Sequence, residues 1–293
     1  FPSDQYMLES QVKFHGLNPA EVIVELKPRE GEHTLRTEDI LAEIKKQGDS
    51  LSLVNMAGLQ YYTGQLFDMK AISQAAHSVG AFAGFDLAHA AGNIPLKLHD
   101  WEVDFATWCS YKYLNSGPGN VSGIYVHEKY AESPDLPRFA GWWGHDEGQR
   151  FLMEKGFIPM HGADGWQLAN SNVLALAAHQ ASLDIFQEAG IENLRKKSFL
   201  LTGYLEFLIK KISGESGVLE IITPENQLER GCQLSLHIHR GGKAVFDEWY
   251  KHGVVGDWRN PNVIRLAPTP LYNSFEDVFR FAQILEQSIE KFA

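Results

Sequence analysis

An α/β fold, with a mainly parallel sheet first and a smaller α+β layer after it, is the architecture that three features of the chain predict. Short apolar runs at 51–55, 81–85, 104–109 and 121–127 are separated by helical or turn-rich stretches, the pattern of a sheet covered on both faces. Beyond residue 170 the order changes to paired helices followed by short strands. Two of the apolar runs end in groups that an active site uses, Asp86 and the Tyr111–Lys112 pair. Ligands of open parallel sheets bind outside the carboxyl ends of the strands, so the two groups are expected to face one crevice.

Taken in order, Met7, Leu8, Val12 and Leu17 are spaced for a helix that Asp4 caps and Gly16 ends. EVIVEL (21–26) reads as a buried strand closed by Pro28. Thr37 caps a helix to 46, with Glu38 and Asp39 suited to its first turn. LSLVN (51–55) is a strand, and Asp68 opens a helix that Gly80 closes. After the strands at 81–85 and 104–109, the connection 110–120 is too short for a helix, so the 121–127 strand is predicted antiparallel to its predecessor. Residues 131–166, rich in Pro, Gly and Trp, read as a long functional connection. Helices follow at 171–188 and 191–212, meeting at Gly190; then strands at 218–223 and 232–239, a helix at 243–252, strand-like pieces to 267 and a last helix at 275–291. The domain boundary falls near 170.

With 293 residues, 44% of them hydrophobic and 22% charged, the chain has the composition of a globular protein with a full core. Its net charge of −11 argues against a nucleic-acid partner, which needs a basic face. No apolar run reaches the roughly 18 residues of a membrane span, so no membrane role is expected. Two isolated cysteines, Cys109 and Cys232, point to a reducing, cytoplasmic compartment. No signal peptide is expected in the numbered residues, and the first residue, Phe1 rather than Met, leads to the expectation of an omitted N-terminal portion.

Lys112 follows an apolar strand, sits between two tyrosines and precedes Asn-Ser-Gly-Pro-Gly. Amines of partly desolvated lysines form Schiff bases readily, although most lysines are only solvated charges. Asp86, directly after AFAGF, either accepts backbone N–H groups at a turn or faces a cationic ring nitrogen. Pyridoxal phosphate needs both groups: a lysine for its aldehyde and an acid that keeps its ring nitrogen protonated. Tyr62 reads as a phosphate donor or as a boundary tyrosine with a wet hydroxyl. Arg265, inside NVIRLAPTPLYN, forms an internal salt bridge or a fork for a substrate carboxylate. No dinucleotide fingerprint, P-loop or GxSxG elbow is present. The histidines, including the His237–His239 pair on one strand face, have no metal-motif spacing, so no metal is expected.

With these residues assembled, the chain resembles the kynureninase family, pyridoxal-phosphate enzymes of the aspartate-aminotransferase-like superfamily. The resemblance runs over essentially the whole chain through FPSD, YYTGQ, FDLAHAAGN, DFATWCSYKYLNSGPG, GWWGH, LLTGYLE, ERGCQL and NPNVIRLAPTPLYNSF. It implies a large pyridoxal-phosphate-binding domain over 1–170, lacking its N-terminal part, and a small α+β domain over 171–293. Lys112 would carry pyridoxal 5'-phosphate as a Schiff base, and Asp86 would pair with its ring nitrogen. Phe1 would stack on the ring, with Pro2, Ser3 and Asp4 of the same FPSD segment helping to hold it and His89 close by. Tyr62, Tyr111, Trp142 and Asn170 would complete the pocket, mainly around the phosphate. Asn170 would also touch substrate, and Arg265 would grip its α-carboxylate.

The family's short phosphate loop lies upstream of FPSD, outside this numbering. Ala57 stands at a pocket position where some relatives carry a hydroxyl. The implied reaction is hydrolytic Cβ–Cγ cleavage of L-kynurenine, or its 3-hydroxy analogue, to anthranilate or 3-hydroxyanthranilate and L-alanine, in tryptophan catabolism and NAD biosynthesis. Tyr111 is a candidate proton donor to the β-carbon, with a phenol that nearby cations would make more acidic. A homodimer is implied as well. The alternatives are a cysteine desulfurase or small aminotransferase of the same superfamily, or an inert relative or fragment. A desulfurase needs a cysteine on a mobile loop, which neither Cys109 nor Cys232 matches.

Overall fold

Residues 1–133, 135–214 and 217–292 are described by a computed structural model, and they build two four-stranded sheets, each with its own apolar core. The N-terminal half holds α1 (Pro2–Phe14), α2 (Pro19–Val22), α3 (Thr37–Gln47), β1 (Leu53–Ala57), α4 (Met69–Ser78), β2 (Phe82–Asp86), β3 (Phe105–Cys109) and β4 (Ser122–Val126). Strand order is β1-β2-β3-β4, with the first three parallel and β4 antiparallel to β3, as the short 110–120 connection predicts. Ile40 and Ile44 of α3, Ile72 and Ala76 of α4 and Ala83 and Phe85 of β2 share the core beneath this sheet. Burying each large apolar side chain there stabilises the fold by about 1.5–3 kcal/mol. Asp68 caps α4 by accepting from the Ala71 amide at 3.0 Å.

Thr37 is the first residue of α3 and does not cap it, Arg36 holding the cap position, and two further expectations need correction. Helix α1 begins at Pro2 rather than after Asp4, because proline fits the first helical position, where no amide donor is needed. Asp4 lies in the first turn. EVIVEL forms no strand: its first two residues end α2, and Ile23 turns extended without a ladder partner. Ile23, Val24 and Leu26 instead line a cleft of about 540 Å³ that separates them from Leu53, Val54 and Asn55 of β1. Strand propensity does not make a strand unless a second backbone completes the hydrogen bonds.

The C-terminal half holds α5 (Val173–Ala189), α6 (Ile191–Ser213), β5 (Leu219–Ile221), β6 (Leu234–Ile238), α7 (Gly242–Lys251), β7 (Asp257–Arg259), β8 (Val263–Leu266) and α8 (Phe275–Phe292). Its antiparallel sheet has the order β5-β6-β8-β7. Leu234, Leu236 and Ile238 of β6 face the core formed with α6, α7 and α8. By the two-residue alternation of a strand, Ser235 and His237 face the other way. That other face meets the first half, where Ser235 Oγ donates to the Tyr62 carbonyl at 2.5 Å. Among the described residues, the 131–166 connection carries only short helical turns and an isolated bridge between His145 and Pro159.

Candidate active site

Parallel pairing of β2 with β3 puts Asp86 opposite Thr107, so the loops after both strands leave the same edge of the sheet. After β2 the chain turns at once. The Asp86 carboxylate accepts from the Ala88 amide at 2.7 Å, and His89 follows in the turn. After β3, residues 110–116 form a loop pinned at its base. Ser116 Oγ donates to Ser110 Oγ at 2.6 Å, Ser110 Oγ donates to the Val121 carbonyl, and the loop carries Lys112 at its tip. The two loops pack directly: a Cβ on Gly92, whose φ is +81°, would meet the Tyr113 carbonyl oxygen at 2.7 Å.

This packing brings Lys112 Nζ to 3.2 Å from His89 Nε2. The His89 imidazole is pulled down to about 3, first by burial and then by the cations Lys112, Arg265 and Arg259. It is therefore neutral at physiological pH and accepts from the lysine ammonium through Nε2. Its proton then sits on Nδ1, which is buried and has no hydrogen-bond partner. The His89 ring lies 5.8 Å from that of Tyr113 and 6.5 Å from that of Tyr61. Phe1 meets Tyr61 edge-on at 5.0 Å, and Lys112 Nζ stands 6.0 Å from the Phe1 ring centre. Burial raises the Asp4 carboxyl, and the negative charge of neighbouring Asp86 raises it further. Ala57 pairs in register with Asp86 at the end of β1.

Arg265 reaches the same place from β8. Its Nη1 donates to the Tyr61 carbonyl at 2.8 Å, its Nη2 is paired with Asp257, and its Nε is buried without a partner. The internal salt bridge and the position facing the crevice thus belong to one side chain, whose Nε is left without a partner. Burial holds the guanidinium below its ordinary value.

Tyr111 corrects an expectation. No cation makes its phenol more acidic; the Cys109 thiol beside it, then burial and Asp86, push it up. It is half exposed and protonated at neutral pH. Tyr62 touches the small sheet through its carbonyl, and burial raises its phenol too. Trp142 packs edge-on against Phe151 at 5.6 Å, and Asn170 is exposed just before α5. Among the described residues, no hydrogen bond, ion pair or ring contact joins either of them to Lys112, His89 or Asp86. Pro2 and Ser3 are exposed in the first turn of α1.

Sequence reasoning passed over Tyr61, Tyr113, Asn93 and Asp257. Asn93 donates to the His89 carbonyl at 3.0 Å and accepts from the Cys232 amide at 2.9 Å, tying the site's turn to the small sheet. The glycine before Asn93 was the available signal. Asp257 had none, since it meets Arg265 only through the β7–β8 pairing.

The architecture is that of the pyridoxal-phosphate-dependent, aspartate-aminotransferase-like enzymes. An apo cysteine desulfurase from Thermococcus onnurineus superposes with a TM-score of 0.79 at 16% identity, over 99% of this chain and 70% of that one. A C-DES variant with glycine linked to the cofactor superposes at 0.75 and 17% identity, over 98% and 72%. At such identities the likeness defines the fold. Sequence goes further: the family model of the kynureninase C-terminal domain matches residues 194–285. The kynureninase of Flavobacterium psychrophilum is 60% identical over 290 residues, 99% of this chain and 68% of the relative. That of Rattus norvegicus is 51% identical over 97% of this chain and 62% of its own length. The chain belongs to the kynureninase family.

Proposed function

We propose that the chain is a pyridoxal-phosphate-dependent hydrolase that cleaves the Cβ–Cγ bond of L-kynurenine or its 3-hydroxy analogue, releasing alanine and the aryl acid, a step of tryptophan catabolism and NAD biosynthesis. The observation that carries this reading is the lysine amine 3.2 Å from a neutral, half-buried histidine, with an acid at the end of the adjoining strand. The buried, unpartnered Nδ1 of His89 and Nε of Arg265 fit a site built to receive a polar ligand. When bound, the cofactor supplies an electron sink for the substrate's α-carbon.

The residues divide the remaining work. Lys112 would hold the aldehyde carbon and, once displaced by substrate, move the α-proton. Asp86 would hold a proton at the ring nitrogen, with Asp4, Pro2, Ser3, Ala57 and His89 around it and Phe1 against the ring. Tyr62, Tyr111, Trp142 and Asn170 would line the phosphate side. Arg265 would orient the substrate carboxylate through its spare donor, and Asn170 would touch substrate. Tyr111, protonated and beside Lys112, would deliver a proton to the β-carbon.

A division into 1–170 and 171–293 is supported by the two separate apolar cores. A homodimer is supported by α5, where Val173, Leu174, Leu183 and Ile185 are each exposed. Two free thiols support a reducing, cytoplasmic compartment, and among the described residues no helix is long and apolar enough to cross a membrane. A desulfurase reading lacks its nucleophile: Cys232 is buried and its thiol is pushed up to about 12 by burial, while Cys109 lies within β3. Offering the cofactor-loaded chain kynurenine and cysteine separately decides the matter. Anthranilate and alanine from the first alone support the hydrolase. Alanine from cysteine without kynurenine turnover contradicts it.

A further inference from the structure

On the face of the small sheet that turns toward the first half, two residues along β6 from the Ser235–Tyr62 contact, stands a cluster of metal-ligating side chains. Glu220 on β5 is the register partner of His237 on β6. His33, from the loop before α3, closes the group from the other side. A ligand atom from each of these three residues lies within 4.8 Å of the others. His33 Nε2 is 3.6 Å from Glu220 Oε1, and His237 Nδ1 is 3.9 Å from Glu220 Oε2. A fourth group, His239, places its Nε2 3.6 Å from Glu220 Oε2. Three imidazoles converge here, the His237 ring being 4.5 Å from that of His239 and 6.0 Å from that of His33.

Hydrogen bonding does not account for the cluster. His237 Nδ1 is buried and has no partner, and 3.9 Å is too long for a hydrogen bond to Glu220. Such spacing is close to that of two ligands on one ion: atoms about 2.0–2.2 Å from a tetrahedral zinc lie roughly 3.3–3.6 Å apart. The backbones that carry the ligands are held in place. Leu35, two residues after His33, is clamped by Gln65, which accepts from its amide at 3.0 Å and donates to its carbonyl at 2.6 Å. Beside His237, Ser235 is anchored on Tyr62 of the same 60–65 loop. Three ligands therefore come from elements already locked to one another.

We propose that His33, His237 and Glu220 form a binding site for a borderline divalent transition metal such as zinc, with His239 oriented by Glu220 at its margin. Two imidazoles and one carboxylate suit zinc, nickel or cobalt and do not suit calcium or magnesium, which take oxygen ligands. The fourth coordination position is left to water. The ion clips the 31–36 segment to the small sheet, and through the 60–65 loop to the strand that carries Ser235. The site is separate from the Lys112 crevice and does not depend on the reaction assigned to it.

Zinc and cobalt(II) titrations of the cofactor-loaded full chain, freed of metal beforehand, test this. The expected result is one ion per chain, a visible cobalt spectrum without thiolate charge-transfer bands, and slower amide exchange in residues 31–36 when zinc is present. His33→Ala, His237→Ala and Glu220→Ala should each weaken zinc binding by at least about 10-fold. His239→Asn should change it less. Circular dichroism of each variant without metal shows whether it has folded; for one that has not, the exchange of residues 31–36 in the parent chain remains the readout. Binding unchanged in the three folded variants, a thiolate signature from Cys109 or Cys232, or no ion retained by the parent chain would overturn the proposal.

Discussion

The two ends of the first sheet carry acids of opposite character, one buried and one half-buried. At the amino end, Asp104, just before β3, is 2% exposed and fully satisfied. It accepts from His77 at 2.8 Å and from the Ala83 amide, Lys129 and Tyr130 at 2.6 Å each. Burial alone would raise its carboxyl, but these donors together hold it below the ordinary range. At the carboxyl end, the Asp86 side chain accepts one backbone amide, from Ala88, and pairs with the Asp4 carboxyl, while His89 and Arg265 keep buried nitrogens without partners. A saturated cluster stabilises; an unsaturated one holds polar capacity for something else. On the proposed reading, the same sheet separates stability from chemistry by end.

Breaking each end should therefore cost a different property. Lys112→Ala is expected to lower kynurenine turnover by about 10³-fold or more while leaving the thermal midpoint nearly unchanged. Asp104→Ala should do the reverse: urea unfolding should show a loss of about 3–5 kcal/mol, with turnover per folded molecule retained. Equal effects of both variants on stability would erase the contrast.

Two smaller effects sharpen it. Tyr111→Phe should reduce turnover by about 10²-fold if the phenol delivers the β-proton. Because that phenol is raised, its own ionisation should not appear in the rate profile between pH 7 and 9. His89 should show itself in stability. Its imidazole is held at about 3 against an ordinary 6.5, so below pH 6.5 the unfolded chain binds a proton that the folded chain refuses. Its contribution therefore falls as acid is added from 6.5 toward 3, by up to about 1.4 kcal/mol per pH unit. Denaturation of His89→Leu at several pH values in that window should give a shallower slope than the parent chain.

The legible part of this molecule was the part governed by local pattern. The strand ends at Asp86 and Cys109, the antiparallel β4, the Asp68 cap and the Gly190 break all follow from neighbours in sequence. The failures have two sources, partners brought in from elsewhere and local chemistry that periodicity does not weigh. EVIVEL carries strand propensity, but no second strand completes it. The phenol of Tyr111 is governed by Cys109, the residue two positions back on the same strand end, and pattern alone favoured the cations. Asn93 and His33 meet their partners across the fold, and Asp257 meets Arg265 through a strand pairing whose register spacing alone does not reveal.

The claim that the carboxyl end holds the cofactor through Lys112 can be tested by covalent capture. The chain loaded with pyridoxal phosphate is reduced with borohydride, digested, and its peptides are weighed by mass spectrometry. The expected result is a phosphopyridoxyl group on Lys112 alone, lost in Lys112→Ala. Labelling of a different lysine, or undiminished labelling in that variant, would contradict the account.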